Sequence, residues 1–336
     1  MKYSTASVTI LLLTTVAACG GGSPNHRQVT PTAPGDPAPL VSPGWSVTGQ
    51  LIDTVSRQPV VAAEIAPTWD LAAVTTTADG GYEIRSTTNP PTTPYRLRIG
   101  GPDLVSHDVW VLWQRGPRTD VTLDVIRNRP PFSLDFYRQF VRGTYDHDEV
   151  YALYRWMDSP SFYIKTVDQN GKPVEQSVLA IVRDAIHRAV GQFTAGKLSI
   201  AALEMGTDVR AAAEGWINID IIRDRSERRR CGWATVGANP GNITFVYDLC
   251  ACGSNKIPGS LVFHEVGHAL GFFHVADKKS VMYPTHPGNC PRGELSASEK
   301  YHAGIAYSRP RGNMDPDVDP SSARSFTAMR VLVADQ

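Results

Sequence analysis

The chain has 336 residues, 42% of them hydrophobic, with 33 Lys+Arg balanced by 33 Asp+Glu. That apolar fraction is enough for a packed core and excludes wholesale disorder, while the length admits two ordinary domains or one large one. With no net charge there is no global field to draw in a polyanion, and no nucleic-acid partner is expected.

At the N-terminus Lys2 precedes an apolar run from Ala6 to Val16. The run is too short to span a bilayer and has the length of the apolar part of an export signal. It ends Val16-Ala17-Ala18-Cys19. Small residues directly before a cysteine resemble the lipobox of bacterial lipoproteins. The resemblance implies a signal peptide over 1–18, cleavage after Ala18 and lipid on Cys19. The alternative is an ordinary secretory signal cleaved nearby, with Cys19 incidental. On the lipoprotein reading the mature protein is held to a membrane by its N-terminal lipid, in the cell envelope facing the periplasm or the exterior. Residues 19–44, with Gly20-Gly21-Gly22 and six prolines from Pro24 to Pro43, read as a tether.

From 45 to 126 the pattern is strand-like. Val47, Gly49 and Leu51 alternate, and Thr75 to Ile84 reads as strand, tight turn, strand around Asp79-Gly80-Gly81. Tyr95–Ile99, Val109–Leu112 and Val121–Val125 add short strands, which predicts a small β-sandwich. Val47-Thr48-Gly49, Gln58-Pro59-Val60 and Thr77-Ala78-Asp79-Gly80-Gly81-Tyr82 resemble the carboxypeptidase regulatory-like, or transthyretin-like, sandwich. The resemblance implies a module that binds, spaces or stabilises; its ligand is not specified. His107 is expected to be a surface or internally satisfied histidine.

Residues 127–154 read as a linker. After it come a strand at Phe162–Thr166, a helix within Val174–Phe193 with apolar residues at helical spacing, and strands at Leu198–Leu203, Trp216–Ile222, Trp233–Val236 and Ile243–Tyr247. Helices are expected from near Pro258 and near Ser296, the latter with Ser296 and Glu299 in capping-box spacing. The fold class is therefore multidomain, a β-sandwich followed by an α+β domain over 155–308. Residues 309–336, including the acidic run Asp315 to Asp319, read as a solvated tail.

Four further cysteines, Cys231, Cys250, Cys252 and Cys290, suggest up to two disulfides in an exported chain. A direct Cys250–Cys252 bridge would close a strained small ring. Cys231 and Cys290 are then each expected to take one of the middle two, in either arrangement.

The most informative stretch is His264-Glu265-Val266-Gly267-His268-Ala269-Leu270-Gly271-Phe272-Phe273-His274. On a helix, residues four apart share a face, so the imidazoles of His264 and His268 can reach one Zn²⁺. Glu265 is rotated away from the ligand face and can address a water on the metal. A third ligand six residues beyond His268 requires the helix to stop and the chain to turn back, and Gly271 permits the positive φ that does this. Three histidine ligands leave a fourth position open, the layout of a catalytic zinc.

The eleven residues resemble the metzincin signature HExxHxxGxxH at every fixed position. Ser280-Val281-Met282-Tyr283-Pro284, with Met282 eight residues after His274, is similar to the Met-turn of the matrixin branch. The resemblance implies a zincin fold with a twisted mixed sheet and three main helices, one catalytic Zn²⁺ on His264, His268 and His274, and Glu265 as the catalytic acid/base. It further implies Met282 as the floor beneath the metal and Tyr283, Pro284 and His286 on the wall of the pocket for the residue after the scissile bond. Val275 and His286 depart from the matrixin pattern, and no cysteine-containing latency segment precedes the domain. The implied activity is zinc metalloendopeptidase, acting on a protein or peptide, and Ile243–Tyr247 is the strand expected to pair with it. The competing reading is a non-catalytic surface adhesin or scaffold with a structural zinc. Such a site has no use for Glu265 and normally closes with a fourth protein ligand.

Overall fold

The computed structural model describes residues 44–68, 71–87, 93–112, 118–224, 230–284, 293–321 and the backbone of 332–334. Cys19, His286 and Cys290 lie outside the described residues, as do the signal peptide and nearly all of the tether.

Eight strands make two sheets. β1 (Trp45–Asp53) pairs with β4 (Gly81–Ser86), β7 (Arg118–Asp120) and β8 (Leu123–Val125); the second sheet runs β3 (Val74–Thr75), β2 (Glu64–Pro67), β5 (Tyr95–Gly100), β6 (His107–Val111). Burial alternates along β4 and β5, as expected of half-buried strands. The inward residues, among them Trp45, Val47, Leu51, Ile65, Tyr82, Ile84, Leu97 and Ile99, form one shared core. The turn at Asp79-Gly80-Gly81 is present, with Gly80 at φ +77°. It does not close a hairpin: β3 pairs with β2 and β4 with β1, so the turn carries the chain from one sheet to the other.

The stretch expected to be a linker holds helix α1 (Leu134–Arg142), capped by Ser133, whose side chain accepts from the Phe136 amide, and closed by Gly143 in the left-handed region. Tyr137, Phe140 and Val141 of α1 are buried in the same core as the elements that follow. Leu134, Tyr137, Phe140 and Val141 recur at helical spacing, so the cause of this helix is local and lies in the sequence itself.

The second half is built on a sheet ordered β10 (Ala202–Gly206), β9 (Ser161–Lys165), β11 (Trp216–Ile222), β13 (Gly241–Val246), β12 (Gly232–Thr235), β14 (Leu332–Ala334). The first four are mutually parallel, while β12 runs antiparallel to both β13 and β14. Three helices share the core of this sheet: α2 (Gln176–Phe193), α3 (Gly259–Ala269) and α4 (Ala297–Ala306). The helical period read over Val174–Phe193 appears as the buried stripe Val178, Val182, Ala185, Ile186, Ala189 and Phe193. The capping box is formed, Ser296 accepting from the Glu299 amide and the Glu299 side chain accepting from the Ser296 amide. Among the described residues, no helix is long and apolar enough to cross a membrane.

Ile243–Tyr247 was the expected substrate strand, and its position corrects this. β13 lies between β11 and β12, so both of its hydrogen-bonding edges are occupied within the sheet. The tail is a second correction. Arg309, Asn313 and Asp317 are buried, and the chain from Asp317 to Asp319 runs beside β6, with the Asp108 amide donating to Asp317 O and the Asp319 amide to Asp108 O. Ser42–Gln336 accordingly forms one compact unit, and the acidic run is not a free terminus.

Cys231 and Cys250 are joined. This is one of the two pairings left open by the sequence, and it ties the start of β12 to the loop ahead of α3. Cys252 is also disulfide-bonded.

Candidate active site

Helix α3 is buried along nearly its whole length, every residue from Ser260 to Ala269 being inaccessible. A helix with no solvent-exposed face lies in the middle of a core, and this one is clasped by Phe193 and Met282, which close on Gly267 from outside the helix. Its C-terminal carbonyls are satisfied by side chains from elsewhere: Trp156 Nε1 donates to Ala269 O at 2.8 Å and Tyr307 Oη to Leu270 O at 3.0 Å. Gly271 then takes φ +109°, and a Cβ there would stand 1.5 Å from Tyr154 O. No other residue fits, and the turn it allows brings His274 back to the helix.

His264, His268 and His274 form a buried cluster. Each Nδ1 faces an oxygen that only accepts: Val281 O at 2.5 Å, Phe272 O at 2.7 Å and Asp146 Oδ1 at 2.8 Å. Each Nδ1 must therefore carry the proton, which leaves each Nε2 with its lone pair turned inward. His268 Nε2 lies 2.9 Å from His264 Nε2 and 3.2 Å from His274 Nε2. Nitrogens about 2.0–2.1 Å from one tetrahedral ion are about 3.4 Å apart. Three lone pairs held this close repel one another unless a cation sits among them, so the donor set fits zinc in number, type and spacing.

The carboxylate of Asp146 has no counterpart in the sequence reading. It receives both the Nδ1–H of His274 and, at 3.2 Å, its backbone amide. Asp146 lies 128 positions upstream, in the stretch taken for a linker, and no spacing rule connects it to the motif. Outer carboxylates of this kind fix ring orientation and raise ligand basicity. Asp146→Ala is expected to weaken zinc binding about 10–100-fold, with Asp146→Asn closer to wild type because it still accepts from the ring. Competition against a chromophoric chelator measures this, and an unchanged affinity in Asp146→Ala would remove Asp146 from the role.

Glu299 was expected only as a capping residue. Its Oε1 also accepts from Ser280 Oγ at 2.5 Å and from the Val281 amide at 3.1 Å. Since Val281 O in turn receives His264 Nδ1–H, the buried Glu299 holds the Met282 turn and the first imidazole in one connected set. Met282 is fully buried, its sulfur against Gly267 on the helix that carries His264 and His268. Glu265, adjacent in sequence to His264, is also fully buried, and a Cβ added to Gly232 of β12 would lie 2.8 Å from its Oε1. The start of β12 thus abuts the carboxylate.

A cleft of about 110 Å³ opens beside His264, bounded by Leu261, Lys278, Lys279, Val281 and Tyr283. Tyr283 lines this cleft; Pro284 is half-buried and does not. The described residues hold one more group with metal-like spacing, His107, Asp317 and Asp319. There the Arg309 guanidinium already grips both oxygens of Asp317, so the cation of that cluster is a side chain.

Residues 254–306 match the family model for matrixin. The matrixin-like region spans α3, the third histidine, the Met282 turn and α4, and stops short of the sheet. A comparison with curated proteins returned no match. Among solved structures the chain is similar to a type II cohesin–X-dockerin complex from Acetivibrio cellulolyticus, with 11% identity over 24% of this chain and 56% of that one and a TM-score of 0.19. A DUF3823 family protein from Parabacteroides merdae has 19% identity over 26% of this chain and 47% of that one, with a TM-score of 0.20. The chain spans about half the length of these structures, and likeness at this level carries nothing about the site.

Proposed function

We propose that the chain is a zinc-dependent metalloendopeptidase. The observation that carries this reading is the convergence of three inward Nε2 lone pairs beside a fully buried glutamate. The matrixin-like match over 254–306 supports it.

Zinc held by His264, His268 and His274 supplies Lewis acidity that acidifies water and polarises a carbonyl. The remaining chemistry belongs to the chain. Glu265 takes a proton from the attacking water and delivers it to the leaving amine. Asp146, Phe272 O and Val281 O each accept from an Nδ1–H and so aim the three Nε2 atoms inward. The walls formed by Leu261, Val281 and Tyr283 receive the side chain that follows the scissile bond, with Lys278, Lys279 and Glu294 also lining the cleft. The extended substrate pairs with the outer edge of β12, which begins beside Glu265 and which it takes by displacing β14.

The test is cleavage of a mixed peptide library with and without a zinc chelator. Turnover is expected to vanish on chelation and return when zinc is restored. A chain that binds zinc yet cleaves nothing in the library would favour the scaffold reading.

A further inference from the structure

We infer that the chain's own C-terminal strand, Leu332–Ala334, occupies the peptide-binding edge of β12 and competes there with substrate. The inference rests on the peptidase reading above and adds its regulation.

A sheet has two edges. Here one is β10, at the far end from the metal centre, and the other would be β12 if β14 were absent. β12 is the strand whose first residue, Gly232, touches the Glu265 carboxylate. Any peptide bond presented to that carboxylate in extended form must therefore run along the outer edge of β12 beside Trp233, Ala234 and Thr235, drawing its main-chain hydrogen bonds from Ala234, the residue of the three whose N–H and C=O face away from β13.

Those three residues are the ones paired in the structure. Trp233 lies opposite Ala334, Ala234 opposite Val333 and Thr235 opposite Leu332, antiparallel. The added strand thus runs toward Gly232, and its last residue sits one register position short of the glycine that touches Glu265. The interaction is β-strand addition in cis, at the end of the strand where chemistry takes place. A strand of three residues has little affinity of its own, but tethering raises its effective concentration to the order of millimolar. This makes it a displaceable competitor for extended polypeptide.

The experiment compares the full chain with a chain ending at Ser321 and with the full-length Val333→Pro/Ala334→Pro variant. The two prolines remove a backbone donor at both phases of the strand. Competition of this kind raises KM and leaves kcat alone. Both altered proteins are expected to cleave a quenched peptide with KM lowered about tenfold. A synthetic peptide of residues 330–336 is expected to restore the higher KM when added to the shortened chain. The same peptide carrying a fluorophore should bind the shortened chain and not the full one, and the amide of Ala234, which faces β14, should exchange faster once the tail is gone while those of Trp233 and Thr235, which face β13, stay protected. Equal KM in all three proteins, or labelled peptide binding that ignores the tail, overturns the proposal while leaving the peptidase reading intact. If no protein cleaves while the peptide still discriminates, the peptidase reading falls, and inhibition with it, leaving only a strand contact.

Discussion

Glu265→Ala and Glu265→Gln are expected to retain zinc on three histidines while lowering kcat by about 10²–10⁴, the span that positioned general acid–base catalysis supplies. Glu265 stands next to a ligand in sequence but is not one of the three groups whose Nε2 atoms converge. Its loss therefore leaves the donor set whole. The residue is completely buried, and a buried carboxylate is costly to a fold, so its removal should not destabilise the protein. A glutamate kept for structure alone would behave in the opposite way: its substitution would lower stability and leave turnover unchanged. The decisive measurements are zinc stoichiometry by elemental analysis, thermal unfolding and peptide turnover on the same preparations. Undiminished turnover in the glutamine variant would end the catalytic assignment, because glutamine keeps the shape and loses only the basicity.

The second large effect is on stability. Arg309→Ala should cost about 3–5 kcal/mol, the usual result of stripping one member from a buried ion pair. Arg309 is 2% exposed and is held by Asp317 through both carboxylate oxygens, at 2.7 to 2.9 Å. It also bonds Asp124 and, at 3.1 Å, Thr54 Oγ1. Asp124 lies in β8 and Thr54 directly follows β1, so one guanidinium joins the sandwich to the chain that follows α4. Without it, the buried Asp317 carboxylate and the partly exposed Asp124 carboxylate lose their shared cation. Replacement by an apolar residue of similar length, Arg309→Met, leaves the same two charges and should cost as much. Urea denaturation followed by tryptophan fluorescence reads the loss, and a change below about 1 kcal/mol, the range of a surface pair, would show that the cluster does not hold the halves together.

The same cluster gives a pH dependence with a definite sign. Burial pushes the Asp317 carboxyl up, but the charges of Arg309 and His107 outweigh it and hold the group below the usual carboxylate range. A carboxyl depressed in the folded state contributes stability above its ordinary value of about 3.9 and loses it as the pH falls through the folded value. For His107, burial pushes down, but Asp317 and Asp319 more than offset this against the opposing charge of Arg309, and the ring ends above its ordinary value. That contribution is complete below about 6.5 and is lost as the pH rises through the raised value. The junction should therefore be firmest in mildly acidic to neutral solution and loosen toward both extremes.

The parts of this protein legible in its sequence are those whose cause is local. The spacing of His264 and His268, the bend at Gly271 and the capping box of Ser296 and Glu299 are set within one or two turns of chain. Helical period and glycine torsion act at that range, and all three appear in the structure as expected. The period of α2 and the strand at Trp216–Ile222 were legible for the same reason.

What only the tertiary structure decided are relations between distant segments. Asp146 meets His274 across 128 residues, Arg309 meets Asp124 across 185, and the second role of Glu299 depends on where the Met282 turn lies. Strand order belongs to the same class. Nothing in Ile243–Tyr247 reveals that both its neighbours are already in place, and nothing in Leu332–Ala334 reveals that it closes the edge beside Glu265. A hydrogen-bonding edge and a buried ion pair are properties of two surfaces brought together. The chemistry each residue can perform is written in its side chain, but the partner that orients it is chosen by packing.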